Sequence, residues 1–174
     1  MREDVPEPLA EVIEAFASLD RSERTDLLIE YADRFQEVSP EIATRPFPEE
    51  HRVPRCESEA FVWVDKKNGG VKLHFAVENP QGLSAKALAV ILEETLSGLP
   101  GAEVARVTQD VVFDIFGREL SMGKGQGLMG MVSMTSTLAK RAAQPRSQEE
   151  GLPRESCSRS SPSRIRRAGL ATTG

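Results

Sequence analysis

Two cysteines occur in the 174 residues, Cys56 and Cys157, and only the first has neighbours suited to chemistry. Cys56 lies in His51-Arg52-Val53-Pro54-Arg55-Cys56-Glu57-Ser58-Glu59, just ahead of the apolar run Ala60-Phe61-Val62-Trp63-Val64. Pro54 fixes its own φ and pushes Val53 towards an extended conformation, so the approach to Cys56 is stiff. The residue types allow two readings. A free cysteine is among the most buried residue types and can serve as a small hydrophobe under a loop. Alternatively, Arg52, Arg55 and a protonated His51 favour a thiolate, and Cys56 is a nucleophile. Arg and Glu on both sides favour the second reading, since a core cysteine is seldom flanked in that way. A hydrolase would need His51 or His74 within hydrogen-bond reach of Cys56, and the sequence leaves this alternative open.

A second segment carries chemistry-bearing residues about sixty-five positions on, Leu120-Ser121-Met122-Gly123-Lys124-Gly125-Gln126-Gly127-Leu128 followed by Met131. Gly117, Gly123, Gly125, Gly127 and Gly130 invite comparison with a phosphate-binding loop. The comparison fails: five residues separate Gly117 from Gly123 where that loop has four, and Gly125 stands where Ser or Thr would hold magnesium. The glycines suit a loop that approaches the cysteine loop closely, with a last helix starting near Gln126. Two cysteines and two histidines at no ligand-like spacing argue against a metal site, and no cofactor is expected.

Val53-Pro54-x-Cys56-x-Ser58 running into the aromatic strand resembles the active-site loop of the SufE-type sulfur acceptors of iron–sulfur cluster biogenesis. Leu120 to Met131 is similar to that family's Leu-Ser-Pro-x-Arg-x-x-Gly-Leu-x-x-Met segment. The similarity runs from about Leu9 to about Arg141. Arg55 stands where the family often has glycine, Met122 where proline is usual and Lys124 where arginine is usual. The resemblance implies an α+β fold, with helices packed on a small curved antiparallel sheet of the SufE/IscU-like kind. It also implies that Cys56 takes persulfide sulfur from a SufS-type cysteine desulfurase, stimulates that enzyme and passes sulfur to iron–sulfur scaffold proteins. His51, Arg52, Arg55, Ser58, Lys124 and Gln126 then form the persulfide environment and docking surface. A scaffold role is disfavoured, because a cluster needs several thiolates. A non-catalytic adaptor with an incidental Cys56 is the remaining alternative.

The elements that must position these residues are legible in part. Leu9, Val12, Ile13 and Phe16 recur at helical spacing after Pro8. Asp20-x-x-Glu23 is a capping pair for a second helix with Leu27, Leu28, Tyr31 and Phe35 on its apolar face, ended by Ser39-Pro40. Residues 40–50 hold three prolines and no period, and form a connection to the cysteine loop. Ala60–Asp65 and Val71–Val77 are strands joined through Asn68-Gly69, which supplies the positive φ of a tight hairpin. Val71, Leu73, Phe75 and Val77 make the buried face. His74 falls on the solvated or half-covered face, and Trp63 is a sheet-face aromatic. Phe61 or Trp63, with the glycine-rich loop, is expected to cover Cys56. Ser84 is placed to cap a helix with Leu88, Ile91, Leu92 and Leu96 buried, ended by Gly98 and Pro100. Short helices follow at 102–107 and 109–116, the latter equally suited to a strand. Leu128, Met131, Val132, Thr135 and Leu138 form one face of the last helix, closed by Lys140-Arg141.

Composition bounds the rest. With 39% hydrophobic and 28% charged residues the chain is of the ordinary globular kind. It divides into a domain over 1–143 and a disordered Arg/Ser/Pro-rich tail over 144–174. The tail is basic, so the preceding residues are more acidic than the overall −5 suggests, which gives no encouragement to nucleic-acid binding. No run approaches the roughly 20 apolar residues of a membrane span. The acidic, proline-broken start is unlike a signal peptide, and both thiols suit a reducing compartment. A cytoplasmic monomer or homodimer is the expectation.

Overall fold

The computed structural model describes residues 4–145, so the tail beyond Pro145, with Cys157, lies outside the described residues. Helix α1 spans Glu7–Ala17 and α2 Arg21–Asp33, followed by strands β1 at Ala60–Lys67 and β2 at Gly70–Val77. Then come α3 at Leu83–Leu96, the short α4 at Gly101–Val104, α5 at Val111–Phe116 and α6 at Met122–Ala143. β1 and β2 pair antiparallel, from Ala60 opposite Val77 to Lys67 opposite Gly70. The fold is α+β, with helices packed on this two-stranded sheet. Among the described residues, no helix is long and apolar enough to cross a membrane.

Local chemistry accounts for several boundaries. Asp20 accepts from Ser22 N at 2.8 Å and Glu23 N at 2.9 Å, while Glu23 Oε2 accepts from Asp20 N at 2.9 Å. That reciprocal box satisfies donors at the start of α2 that the helix cannot. Asn68 at φ 51 and Gly69 at φ 83 make the two-residue hairpin turn. α2 ends at Asp33, earlier than the expected stop at Ser39-Pro40. The released chain runs back over the sheet, where Val38 N donates to Phe75 O at 2.8 Å. α3 begins after Gly82 with no side-chain cap, so Ser84 lies inside its first turn and does not cap it.

The sheet is buried on both faces. Val62, Leu73 and Phe75 pack with Leu88, Ile91, Leu92, Met131 and Val132 of α3 and α6 in the main core. Fully burying each such side chain contributes about 1.5–3 kcal/mol. On the opposite face, Phe61, Trp63 and Ala76 pack with Val38, Ala43 and Phe47 from the connecting segment. The segment without periodicity thus covers a face that strand alternation alone would leave half open.

His74 lies on this second face, directly opposite Trp63 in the strand register. Burial pushes its pKa below the ordinary 6.5, against the pull of Asp65, whose Oδ2 is 3.4 Å from Nε2. A depressed imidazole favours the folded state fully above pH 6.5, and that contribution is lost as pH falls towards the folded-state value. The parent should therefore lose stability between neutral and mildly acidic pH more steeply than His74→Gln. Urea midpoints of both proteins across that window provide the check, and parallel curves would refute the assignment.

Candidate functional site

The cysteine loop is pinned at its base to β1. Val53 N donates to Ala60 O at 2.8 Å, and Arg52 forms a bridge with Phe61. At the tip, Glu59 N donates to Cys56 O at 3.1 Å, closing a tight turn. Arg55 and Glu59 adopt left-handed φ values of 58 and 49. That conformation costs an L-residue roughly 1–2 kcal/mol, which explains why glycine suits the Arg55 position in the pattern it resembles. The guanidinium of Arg52 reaches Glu49 at 3.4 Å and Glu59 at 3.2 Å, tying the residues before the loop to its end. The far side is held to the turn before α3, with Asn79 N donating to Ser58 O and Glu78 N to Glu59 O, both at 3.2 Å.

Behind the loop runs α6, and its glycines determine the fit. A Cβ on Gly127 would stand 3.1 Å from Cys56 Cα and 3.3 Å from its Sγ. One on Gly123 would lie 2.7 Å from Glu57 Oε1, and one on Gly130 3.1 Å from Val53 Cγ1 and 3.2 Å from Pro54 O. Residues 123, 127 and 130 share one helix face, so the missing side chains form a groove in which residues 53–57 lie. The glycine-rich stretch is therefore helical from Met122 and not a loop up to Gln126. Glycine is disfavoured in helices by about 1 kcal/mol per residue. Packing overrides that preference, because Gly125, Gly127, Leu128, Met131, Val132, Thr135 and Ala139 are all buried.

Cys56 is half-buried, packs against the main core and opens onto two cavities. One, of 340 Å³, lies between the loop, the first turn of α3 and the first turn of α6, and includes Ser58, Ser84 and Lys124. Both helices present N-termini without side-chain caps to this space. The partial positive charge of such ends favours an anion. The second cavity, of 590 Å³, lies on the other side and is lined by Glu49 and Arg52 to Glu57. Among the described residues, no group of His, Cys, Asp and Glu is arranged to hold a metal ion.

The structure thus brings Arg52, Arg55, Ser58 and Lys124 to the cavities beside Cys56, and leaves out His51 and Gln126. The His51 ring stacks on Trp63 with centroids 5.1 Å apart, and its Nδ1 lies 2.9 Å from Val62 O. It belongs to the second sheet face, as His74 does, whereas Cys56 packs against the first. Gln126 is exposed and lines neither cavity. Phe61 and Trp63 also lie on the second face, so they do not cover Cys56 as expected, and α6 takes that place. The sequence reading missed Glu57, Asn79 and the α3 start as neighbours. The 123, 127, 130 spacing was the available signal for the groove.

Comparison with known proteins bears on the family and the fold. A family model described as SufE, Fe-S metabolism associated domain, matches residues 10–139. Uncharacterized SufE-like proteins from two strains of Mycobacterium tuberculosis are each 30% identical over 107 residues, covering 61% of this chain and 72% of theirs. The solution structure of a hypothetical protein from Thermus thermophilus superposes with a TM-score of 0.63 at 27% identity, covering 79% of this chain and 97% of that one.

Proposed function

Because the chain belongs to the SufE family, whose domain is associated with Fe–S metabolism, we propose that it accepts sulfur on Cys56 from a cysteine desulfurase. The Cys56 thiolate attacks the outer sulfur of the enzyme's persulfide. The S–S bond of that persulfide breaks, the enzyme thiolate leaves, and Cys56 carries the transferred sulfur. The exchange is balanced without an external oxidant or reductant. A thiolate of the next carrier or of an iron–sulfur scaffold then repeats the attack on Cys56, and turnover of the desulfurase rises as its own cysteine is cleared.

The observation that carries this reading is the position of Cys56 between two cavities, on a stiff loop seated in the glycine groove of α6. One side offers a route for an incoming persulfide. The other offers a small space next to two helix N-termini and Lys124, suited to a negatively charged outer sulfur. The two imidazoles lie on the far face of the sheet, which speaks against a Cys–His hydrolase. Intact-mass measurement after incubation with a desulfurase and free cysteine tests the proposal. One sulfur should add to Cys56 and be removed by dithiothreitol, and its absence refutes the reading.

Lys124 supplies a point charge where the family pattern has the bidentate guanidinium. Lys124→Ala should slow sulfur transfer by about ten-fold, the scale of a lost charge-assisted contact, without unfolding the domain. Lys124→Arg should retain or improve transfer. Single-turnover kinetics with an isolated desulfurase persulfide measure this. Equal rates for all three proteins would reduce Lys124 to a solvated surface residue.

A further inference from the structure

Away from Cys56, this acidic chain has a concave surface of opposite charge. Arg21 and Arg24, three residues apart in α2, share a helix face, and Arg118 follows α5 across from them. With Thr25, Gly117 and Glu119 they line a cavity of 390 Å³. Among the described residues, Glu119 is the one carboxylate in its wall, and it meets Arg21 at 3.4 Å with both side chains in solvent. An ion pair of that kind is weak and exchanges readily for another anion.

Arg24 is held differently. Its Nη2 donates to Phe16 O at 3.1 Å, while its Nε is closed off from solvent with no acceptor among the described residues. The bond to Phe16 O and the closed-in Nε hold this guanidinium in place at the cavity wall. Gly117, at φ 81, leaves room for it, since a Cβ there would stand 2.8 Å from Arg24 Nη1. The turn after α5 is thus shaped around a fixed guanidinium with two exposed ones beside it. Like charges gathered in one concavity repel unless an anion lies between them.

We infer that this cavity binds a small oxyanion of the phosphate or carboxylate class. The planar fork of a guanidinium matches two oxygens of such a group; the exposed Arg21 and Arg118 supply that fork, and Arg24, its Nη2 given to Phe16 O, adds a fixed positive charge. The concave shape and volume suit a free anion bearing a small organic group. A protein surface would engage a flatter patch. The inference does not depend on the sulfur-acceptor reading, because none of these residues lines the cavities at Cys56.

The test is titration of the full chain with inorganic phosphate and, separately, with succinate, against sodium chloride at matched ionic strength. Heteronuclear NMR of the arginine side chains and the thermal midpoint are the readouts. At least one oxyanion should give a saturable shift at Arg24 and raise the midpoint where chloride does not. Which one does so assigns the class. The Arg21→Gln, Arg118→Gln double variant, altered only at exposed positions, should bind about ten-fold or more weakly, with an unchanged midpoint in chloride. Shifts that never saturate, or that are the same in the double variant, mean an adventitious ion only and overturn the inference. It is also overturned if the free chain ignores both anions while the double variant loses affinity for a desulfurase. The guanidiniums would then meet an acidic side chain of that partner.

Discussion

Cys56→Ser should abolish sulfur acceptance completely while leaving the fold almost unchanged. A serine hydroxyl fills nearly the same volume, yet it is no thiolate and cannot take over the outer sulfur of a persulfide. Cys56 is half-buried and its contribution to the fold is packing, so the exchange should alter stability by less than about 1 kcal/mol. The second thiol, Cys157, separates two explanations of any lost activity. Cys157→Ser and a chain truncated after Gln144 should each accept one sulfur as the parent does. Mass spectrometry of all four proteins after identical desulfurase treatment gives the answer. Sulfur on Cys56→Ser, or its loss in Cys157→Ser alone, would move the acceptor site to the tail.

Gly127→Val should cripple transfer by a different route, through the seat of the loop. The first added carbon would already stand 3.1 Å from Cys56 Cα and 3.3 Å from Sγ, and valine extends two methyl groups beyond it. The loop has little room to retreat. It is tied to β1 through Val53 and Ala60, closed through Cys56 and Glu59, and fastened to the turn before α3 through Ser58 and Asn79. Overpacking of this kind costs about 1–3 kcal/mol, offset by a few tenths from the better helix propensity of valine. A fall in Tm of several degrees is expected, with a much larger loss of transfer rate because Sγ itself is displaced. Gly127→Ala makes the comparison sharper. Its helix gain of about 1 kcal/mol opposes a single tight contact, so stability should stay nearly level while transfer still drops. Melting curves and single-turnover transfer, measured together, separate the two effects. Parent-like transfer in Gly127→Val would show that the groove does not set the position of the sulfur.

The groove also marks where the sequence reading stopped. Gly123 and Gly125 argue locally against a helix, and the segment up to Gln126 reads as a loop on that ground. The helix forms nonetheless because Leu128, Met131 and Val132 have α3 and the sheet to pack against. His51 shows a similar limit. Five residues before Cys56 it is a natural partner for the thiol, yet strand pleating sends Trp63 to the opposite face and the imidazole stacks there. Arg52, read as a cation for the sulfur, is engaged with Glu49 and Glu59 and shapes the loop.

Local features follow from the order of residues alone: the capping box of Asp20 and Glu23, the Asn68-Gly69 hairpin, the buried stripe of α3 and the stiff entry to Cys56. Each depends on a few consecutive residues, through fixed dihedrals, caps or a short period, so no distant contact is needed to read it. What surrounds Cys56 is set by the folded chain instead. The cover over the second sheet face, the N-termini of α3 and α6 at one cavity and the approach of the loop to α6 all join segments far apart in the chain. The closest of these contacts depends on side chains that are missing at Gly123, Gly127 and Gly130. An absent side chain has no partner preference that can be read along the chain, and its effect appears only where two backbones meet.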